Sequence, residues 1–321
     1  GISIKVLYCY TTSTKTYIHG GNMANHNILI VHAHPADFAC DAAATMALHA
    51  ERGDRVTSLV VSHGERHHMQ WLHDQKLMSP EKRDPDLSKI NMTNYREFKK
   101  RETERIAEVL GISELIMLGW VDGQIYFEQE KIEQIAEVIR KVKPDIFITR
   151  LPNVLSESTH DDHPETARIA LKGLRHAQDR VMEFDGVESY RGVKQIFHSL
   201  AGGEEVNNNG MLLPGITPDV WIDTSSVIEK KVHAIDQLVS QGYHGPTARR
   251  IVEARDGRWG MIAGSAYAEP FIRPFGLIYD SLPMSPRSLS DAYQPTHKDF
   301  IDTPVNKMPS ATPETAYKLI P

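Results

Sequence analysis

The stretch ILIVHAHPADFACDAAATMALHAERG, Ile28–Gly53, constrains the fold more than any other part of the chain. It opens on a continuous apolar, β-branched run, Asn27–His32, which reads as a strand buried on both faces. Over Asp37–Arg52 the spacing of Ala42, Met46, Ala47 and Ala50 predicts one helix, stopped by Gly53. Arg55–Ser62, RVTSLVVS, is again a strand. Strand, helix and strand in such short order define a βαβ unit, which requires a parallel sheet with helices on its faces.

The alternation continues. Helices are expected at Asn94–Leu110, before Gly111, and at Glu130–Lys143, before Pro144; strands are expected at Glu114–Leu118 and Asp145–Arg150. Gly64–Thr93 reads as a polar connection without regular structure. Further on, Pro164–Ala177 and Ser226–Gln241 read as helices, and Lys194–Leu200 and Asp219–Asp223 as strands. Beyond about Pro270 the chain is Pro-rich and loses its periodicity. The fold class is α/β with a mostly parallel sheet. Residues 23–275 form the catalytic domain, residues 1–22 an N-terminal extension or arm, and residues 276–321 an extended C-terminal arm laid on the surface or on a neighbouring subunit. A homo-oligomer is therefore expected.

Composition narrows the function classes. With 40% hydrophobic and 24% charged residues, the 321-residue chain can bury a sizeable core, and a formal net charge of -6 argues against a nucleic-acid binder. No apolar run approaches the roughly 18–20 residues of a membrane span. Two cysteines, Cys9 and Cys40, imply no disulfide framework, so a cytoplasmic setting is expected. Sixteen histidines hint at metal chemistry.

In open α/β sheets ligands bind outside the carboxyl ends of the strands. Three polar clusters fall there: His32–Asp37, His63–His68 and His160–His163. His34 and Asp37 flank a tight strand-to-helix turn that can aim both at one point, although Asp37 could equally cap the helix. Adding His163 gives two imidazoles and a carboxylate, the three-ligand pattern of a catalytic zinc site with an open position. Glu65, after the neighbouring strand, could act as general base on a metal-bound water. A separate site of His63, His67, His68 and His73 lacks a carboxylate or thiolate framework; these histidines fit better at the mouth of a pocket or in solvent. His32 reads as a core or supporting histidine.

The order of clusters resembles the LmbE-like, or PIG-L, family of zinc deacetylases. The matching motifs are His34-Pro35-Ala36-Asp37, Gly64-Glu65, His160-x-x-His163 and Tyr267-Ala268-Glu269, spanning Asn27 to Phe275. The resemblance implies a Rossmann-like three-layer α/β/α sandwich. It also implies Zn2+ held by His34, Asp37 and His163, another divalent transition metal being possible. His160 becomes an acid or electrophile beside the substrate, and Glu269 a structural residue holding a backbone amide or the pocket wall.

Ala36 departs from the pattern, because the deacetylases use the aspartate at that place as general base. A branch of the same family, the 4-oxalomesaconate hydratases, is similar in His-x-Ala-Asp-Phe and Gly-Glu-Arg, here His34–Phe38 and Gly64–Arg66; ALHAERG and PDVWIDTSSVIEKK also resemble it. His160 and Pro35 remain deacetylase-like. The resemblance implies water addition to a small unsaturated keto-di- or tricarboxylate in aromatic-acid catabolism. Glu65 and His160 would be catalytic, and Arg66 would bind a substrate carboxylate through its guanidinium fork. Arg101 and Arg150 are lesser candidates for that pairing. The alternatives are a zinc amide hydrolase with a relocated base, or a binding protein that keeps the metal cup without turnover.

Overall fold

The computed structural model of the protein describes residues 25–152, 160–181, 186–200 and 216–283. The expectations for residues 1–22 and for most of the C-terminal arm lie outside these residues. The first layer of the order is β1 (Asn27–His32), α1 (Pro35–Cys40), α2 (Ala43–Glu51), β2 (Arg55–Ser62), α3 (Gln70–Leu77), α4 (Met92–Leu110) and β3 (Glu114–Trp120). It continues with α5 (Gln129–Val142), β4 (Ile146–Arg150), α6 (Asp162–Ala177), β5 (Gln195–Ser199) and β6 (Val220–Asp223). It ends with α7 (Ile228–Asp236), α8 (Pro246–Val252), α9 (Arg258–Ala263) and β7 (Ala268–Ile272).

The seven strands form one sheet in the order β3-β2-β1-β4-β5-β7-β6. β1 to β5 run parallel, and β7 pairs antiparallel with β5 and β6. The α/β, mostly parallel expectation therefore holds, with an antiparallel addition at one edge. Alternation along the strands sends side chains to two cores. Leu29, Val31, Leu59, Val61 and Phe147 pack with α5 and α6 residues such as Ile135, Ile139 and Ile169. Ile28, Ile30, Val56 and Ile148 face the other way and meet Met46 of α2. On that side α1, α2, α4, α7 and α8 share a core built on Phe38, Ile106, Leu110, Ile235 and Val252. Helices on both faces make the three layers.

Four local expectations need correction. The helix predicted over Asp37–Arg52 starts at Pro35 and breaks after Cys40 into α1 and α2. The predicted polar connection contains α3, anchored by Trp71 in a cluster with Tyr95 and Phe98. β7 lies in the stretch taken as aperiodic; its five residues include Pro270, which hides the strand signal. The helix predicted over Ser226–Gln241 is shorter, Ile228–Asp236, and is followed by a tight turn at Val239–Gln241. Residues 273–283 carry no helix or strand and leave Phe275, Ile278 and Leu282 largely exposed.

β1 is flanked by β2 on one side and β4 on the other, so strand order reverses between β1 and β4. This is the switch point at which open α/β sheets form a ligand crevice. His34 follows β1, Glu65 follows β2, Asp122 follows β3 and Arg150 ends β4. Parallel strands thus deliver four polar residues, far apart in sequence, to one edge of the sheet.

Candidate metal centre

His34 occupies the N-cap of α1 in extended backbone conformation, with Pro35 at the first helical position. Proline suits that position because its missing N–H would have no helical partner. Three residues on, Asp37 turns back, and its Oδ2 accepts from the His34 backbone N–H at 2.8 Å. The cap and the functional readings of Asp37 are therefore compatible. One oxygen closes the turn, and the other, Oδ1, stands 3.2 Å from His163 Nε2.

His163 lies in the first turn of α6, after the segment that leaves β4. Its Nε2 is 3.1 Å from His34 Nδ1, and His34 Nδ1 is 3.5 Å from Asp37 Oδ2. A tetrahedral ion with bonds of about 2.0–2.1 Å has ligand atoms about 3.4 Å apart. The His34 and His163 nitrogens lie near that spacing, and each has an Asp37 oxygen, Oδ2 and Oδ1 respectively, at a similar distance, so the donor set suits a divalent ion such as zinc. Two further groupings share His34, one with His68 and His160 and one with Asp122 and Asp162.

The two faces of the His34 ring differ in chemistry. Nδ1 looks toward His163 and Asp37, while Nε2 is 3.1 Å from both Asp122 Oδ1 and Asp162 Oδ2. Carboxylates behind a ligating imidazole fix its tautomer and raise its basicity. Burial alone would lower the His34 pKa, but hydrogen bonds to Asp122, Asp162 and Asp37 reverse this and raise it well above the usual value. The ring is in a setting built for a positive neighbour, either a proton or a metal on Nδ1.

Charge supports the same fit. Asp37, Asp41, Glu65, Asp122 and Asp162 are all buried. Arg150 sits among them, with Nε 3.1 Å from Asp41 Oδ2 and Nη1 3.7 Å from Asp37 Oδ1. Fully buried Lys99 donates to the His68 carbonyl at 2.9 Å, and burial lowers its pKa to about 8 despite Glu102, Asp122 and Glu65 nearby.

The remaining predicted residues divide. His160 joins the cluster: its ring centroid is 4.4 Å from that of His163 and 5.0 Å from that of His34. Burial and the charges of His163, His34 and His68 pull its pKa down to about 4. Glu65 is fully buried and held by Arg96, which donates to Oε1 through Nε at 2.9 Å and Nη2 at 2.5 Å. Among the described residues Glu65 Oε2 has no hydrogen-bond partner. Arg66 donates its backbone N–H to Asp122 Oδ2 at 2.7 Å and leaves its side chain exposed. His68 lies within the cluster, its ring centroid 4.5 Å from that of His34 and 5.2 Å from that of His160, whereas the exposed His67 meets His160 edge-on at 5.9 Å. Arg101 is on α4 beside Glu97, 3.9 Å away.

Asp122 is the residue that sequence reasoning missed. It accepts from the backbone N–H groups of Arg66 and His67 at 2.7 and 2.6 Å. Burial opposes its charge, but the His34 and His68 rings, and then the His67 N–H, hold its carboxyl well below the usual range. The available signal was a carboxylate next to Gly123 at the end of a strand. Asp162 lay inside the His160–His163 motif but had no assigned task. It also accepts from Gly123 N at 2.6 Å and Ile125 N at 3.3 Å. Glu269 accepts from the Ala44 and Thr45 backbone N–H groups at 3.0 and 2.7 Å, the backbone-holding place expected for it. His32 is buried against Phe38, with its pKa lowered to about 4 chiefly by that burial.

A Rossmann-like α/β protein with a His/Asp cup able to hold a metal at its switch point is the class that this geometry defines. Residues 29–173 match the model of the PIG-L family, described as GlcNAc-PI de-N-acetylase. Its relatives include two kinds of enzyme. A 1D-myo-inositol 2-acetamido-2-deoxy-alpha-D-glucopyranoside deacetylase of Acidothermus cellulolyticus is 24% identical over 244 residues, 67% of this chain and 79% of the relative. A 4-oxalmesaconate hydratase of Pseudomonas putida is 26% identical over 224 residues, 68% of this chain and 76% of the relative. The crystal structure of a 4-carboxy-2-hydroxymuconate hydratase from Pseudomonas putida superposes with a TM-score of 0.63 at 22% identity, covering 80% of this chain and 99% of that one. That likeness concerns the fold. Among the described residues no helix is long and apolar enough to cross a membrane.

Proposed function

We propose that the protein is a metal-dependent hydratase that adds water to a small unsaturated keto-di- or tricarboxylate of the 4-oxalomesaconate type. The observation that carries this reading is the pairing of Ala36 with Glu65. Ala36, buried beside the cup, has no proton-accepting group, whereas Glu65 has one oxygen anchored by Arg96 and the other buried without a partner. A carboxylate held in that way is oriented by one oxygen and keeps the accepting capacity of the other unspent.

In this scheme His34, Asp37 and His163 hold the ion, with Asp122 and Asp162 fixing the His34 ring. The bound metal supplies Lewis acidity toward a substrate oxygen. Glu65 takes a proton from the attacking water as the water oxygen bonds to one alkene carbon, and a proton is returned to the neighbouring carbon as the C=C π bond breaks. His160, kept neutral by its surroundings, donates a hydrogen bond to the substrate from the rim of the cup. Arg66 pairs with a substrate carboxylate.

A second reading, hydrolysis of an amide such as an N-acetyl group, is favoured by His160 and Pro35. Both are deacetylase-like, and a deacetylase stands among the relatives. The test is absorbance of the conjugated substrate. Zinc-loaded protein mixed with 4-oxalomesaconate should bleach the chromophore. Glu65→Gln should slow it by roughly 10²–10⁴ while zinc content stays the same. No bleaching with zinc in place, together with acetate release from an N-acetyl glucosaminide, would replace the first reading by the second.

A further inference from the structure

We infer that α3 supplies a second, cationic subsite, which binds the carboxylate of the substrate farthest from the metal cup and sets the preference for multiply charged acids. The inference rests on the hydratase reading for the identity of the acid, but its geometry is independent of that reading.

α3 shows two faces. Trp71 and Gln75, four residues apart, are buried, and Trp71 packs with Tyr95 and Phe98. Gln70, His73 and Lys76 follow one another at intervals of three and project on the opposite side. That side lines a depression of about 340 Å³, together with Arg66 and His67. The volume suits a small organic acid. No acidic side chain lines it among the described residues; the nearest related carboxylate, Asp74, accepts from Gln70 Nε2 at 2.6 Å. In a chain of net charge -6, a depression bounded by Arg66, Lys76 and two histidines is a local reversal of sign.

The depression adjoins the proposed centre. His67 lines it, and the same ring meets His160 edge-on at 5.9 Å between centroids. Asp122, whose Oδ1 contacts His34 Nε2, accepts from the backbone N–H groups of both Arg66 and His67. The loop that presents Arg66 is thereby fixed to the cup. A substrate with one end at His34–His163 and a carboxylate beyond His160 would present it on the His67 side, where the depression begins. A neutral acetamido sugar would gain nothing from that charge.

The experiment is a binding ladder by isothermal titration on the zinc-loaded full chain. The probes are crotonate, mesaconate and aconitate, which carry one, two and three carboxylates. Each added carboxylate should tighten binding by roughly three- to tenfold. Lys76→Gln should erase the last step while keeping zinc stoichiometry and crotonate affinity, whereas Arg66→Gln should weaken every step. A flat ladder, or aconitate binding equal in wild type and Lys76→Gln, would overturn the subsite. The two readings fail separately. A Lys76-dependent ladder with no hydration of 4-oxalomesaconate keeps the subsite and discards the reaction. Hydration with a flat ladder and an unchanged KM in Lys76→Gln does the reverse.

Discussion

The Nε2 of His34 stands 3.1 Å from Oδ2 of Asp162, across 128 residues of sequence, while Nδ1 of the same ring faces the proposed metal position. Asp162 is held from behind by the Gly123 and Ile125 backbone N–H groups, so its aim at His34 is fixed by the turn after β3. Asp162→Asn keeps the shape and removes the charge. Zinc affinity should fall by roughly 10–100-fold, measured by competition with a chelator of known strength. Unchanged affinity would mean that Asp122 alone orients the ring.

Gly123 carries a φ of +74°, and a Cβ placed on it would lie 2.2 Å from Cε1 of His67. Left-handed backbone costs an L-residue about 1–2 kcal/mol. The His67 side chain is 56% exposed and can swing outward. Gly123→Ala should therefore lower stability by about 1–2 kcal/mol in urea denaturation, while zinc binding survives. Because His67 separates the cup from the α3 depression, aconitate affinity should change in this variant and crotonate affinity should not.

A third prediction concerns pH. Lys231 Nζ, almost wholly buried, lies 2.6 Å from Asp256 Oδ1 and 2.7 Å from Glu269 Oε1. One cation between two buried carboxylates leaves one negative charge uncompensated. Burial, with Glu269 adding to it and Lys231 opposing, pushes the Asp256 carboxyl up to about 7. The folded state therefore holds a proton that the unfolded state releases near the ordinary value of 3.8. Its stabilising share is present in full at acid pH and is lost as pH rises toward 7. Asp256→Asn mimics the protonated form and leaves Lys231 balanced by Glu269. The variant should match wild type only below about pH 4, gain on it steadily as pH rises from there to about 7, and stand ahead by on the order of 3–4 kcal/mol at pH 8, read as the difference between two urea curves. A constant difference across that range would show that Asp256 is ionised throughout.

The sequence was most informative where a local period and a buried environment agree. β1 and β4 are nearly continuous apolar runs, and β2 is buried throughout after Arg55, because helices cover both faces of the sheet; α5 and α6 repeat their apolar residues at helical spacing against Leu29 and Val31. Legibility ended where tertiary contacts decide. The break between α1 and α2 falls at Asp41, whose partner Arg150 arrives from β4. α3 is polar except for Trp71, Leu72 and the exposed Leu77, and its burial depends on Tyr95 and Phe98 in α4. β7 is a strand through pairing with β5 and β6, not through its own composition. Within the site, His34, Asp37 and His163 could be chosen by residue type and place. The Asp122 contribution arises only when the turn after β3 folds against the His34 ring. Glu65 was legible as a carboxylate at a strand end; its grip by Arg96 was not.

Ala36 offers the most direct test of what the cup has been shaped to do. It lies one residue before Asp37, 9% exposed, in the core with Phe38, Ala39 and Cys40. Restoring an aspartate there brings another carboxylate to a neighbourhood already rich in them. Ala36→Asp should therefore cost about 1–3 kcal/mol of stability without metal, with part recovered on zinc loading because the ion offsets the added charge. Under the hydratase reading, the new side chain intrudes on the substrate, so hydration of 4-oxalomesaconate should fall at least tenfold. Slow acetate release from an N-acetyl glucosaminide should appear, because the variant then has a base beside the cup. Parallel assays of bleaching and acetate on the same zinc-loaded preparation check both effects. Full hydration in Ala36→Asp would show that the methyl group makes no room for substrate, and would remove Ala36 as an argument for water addition.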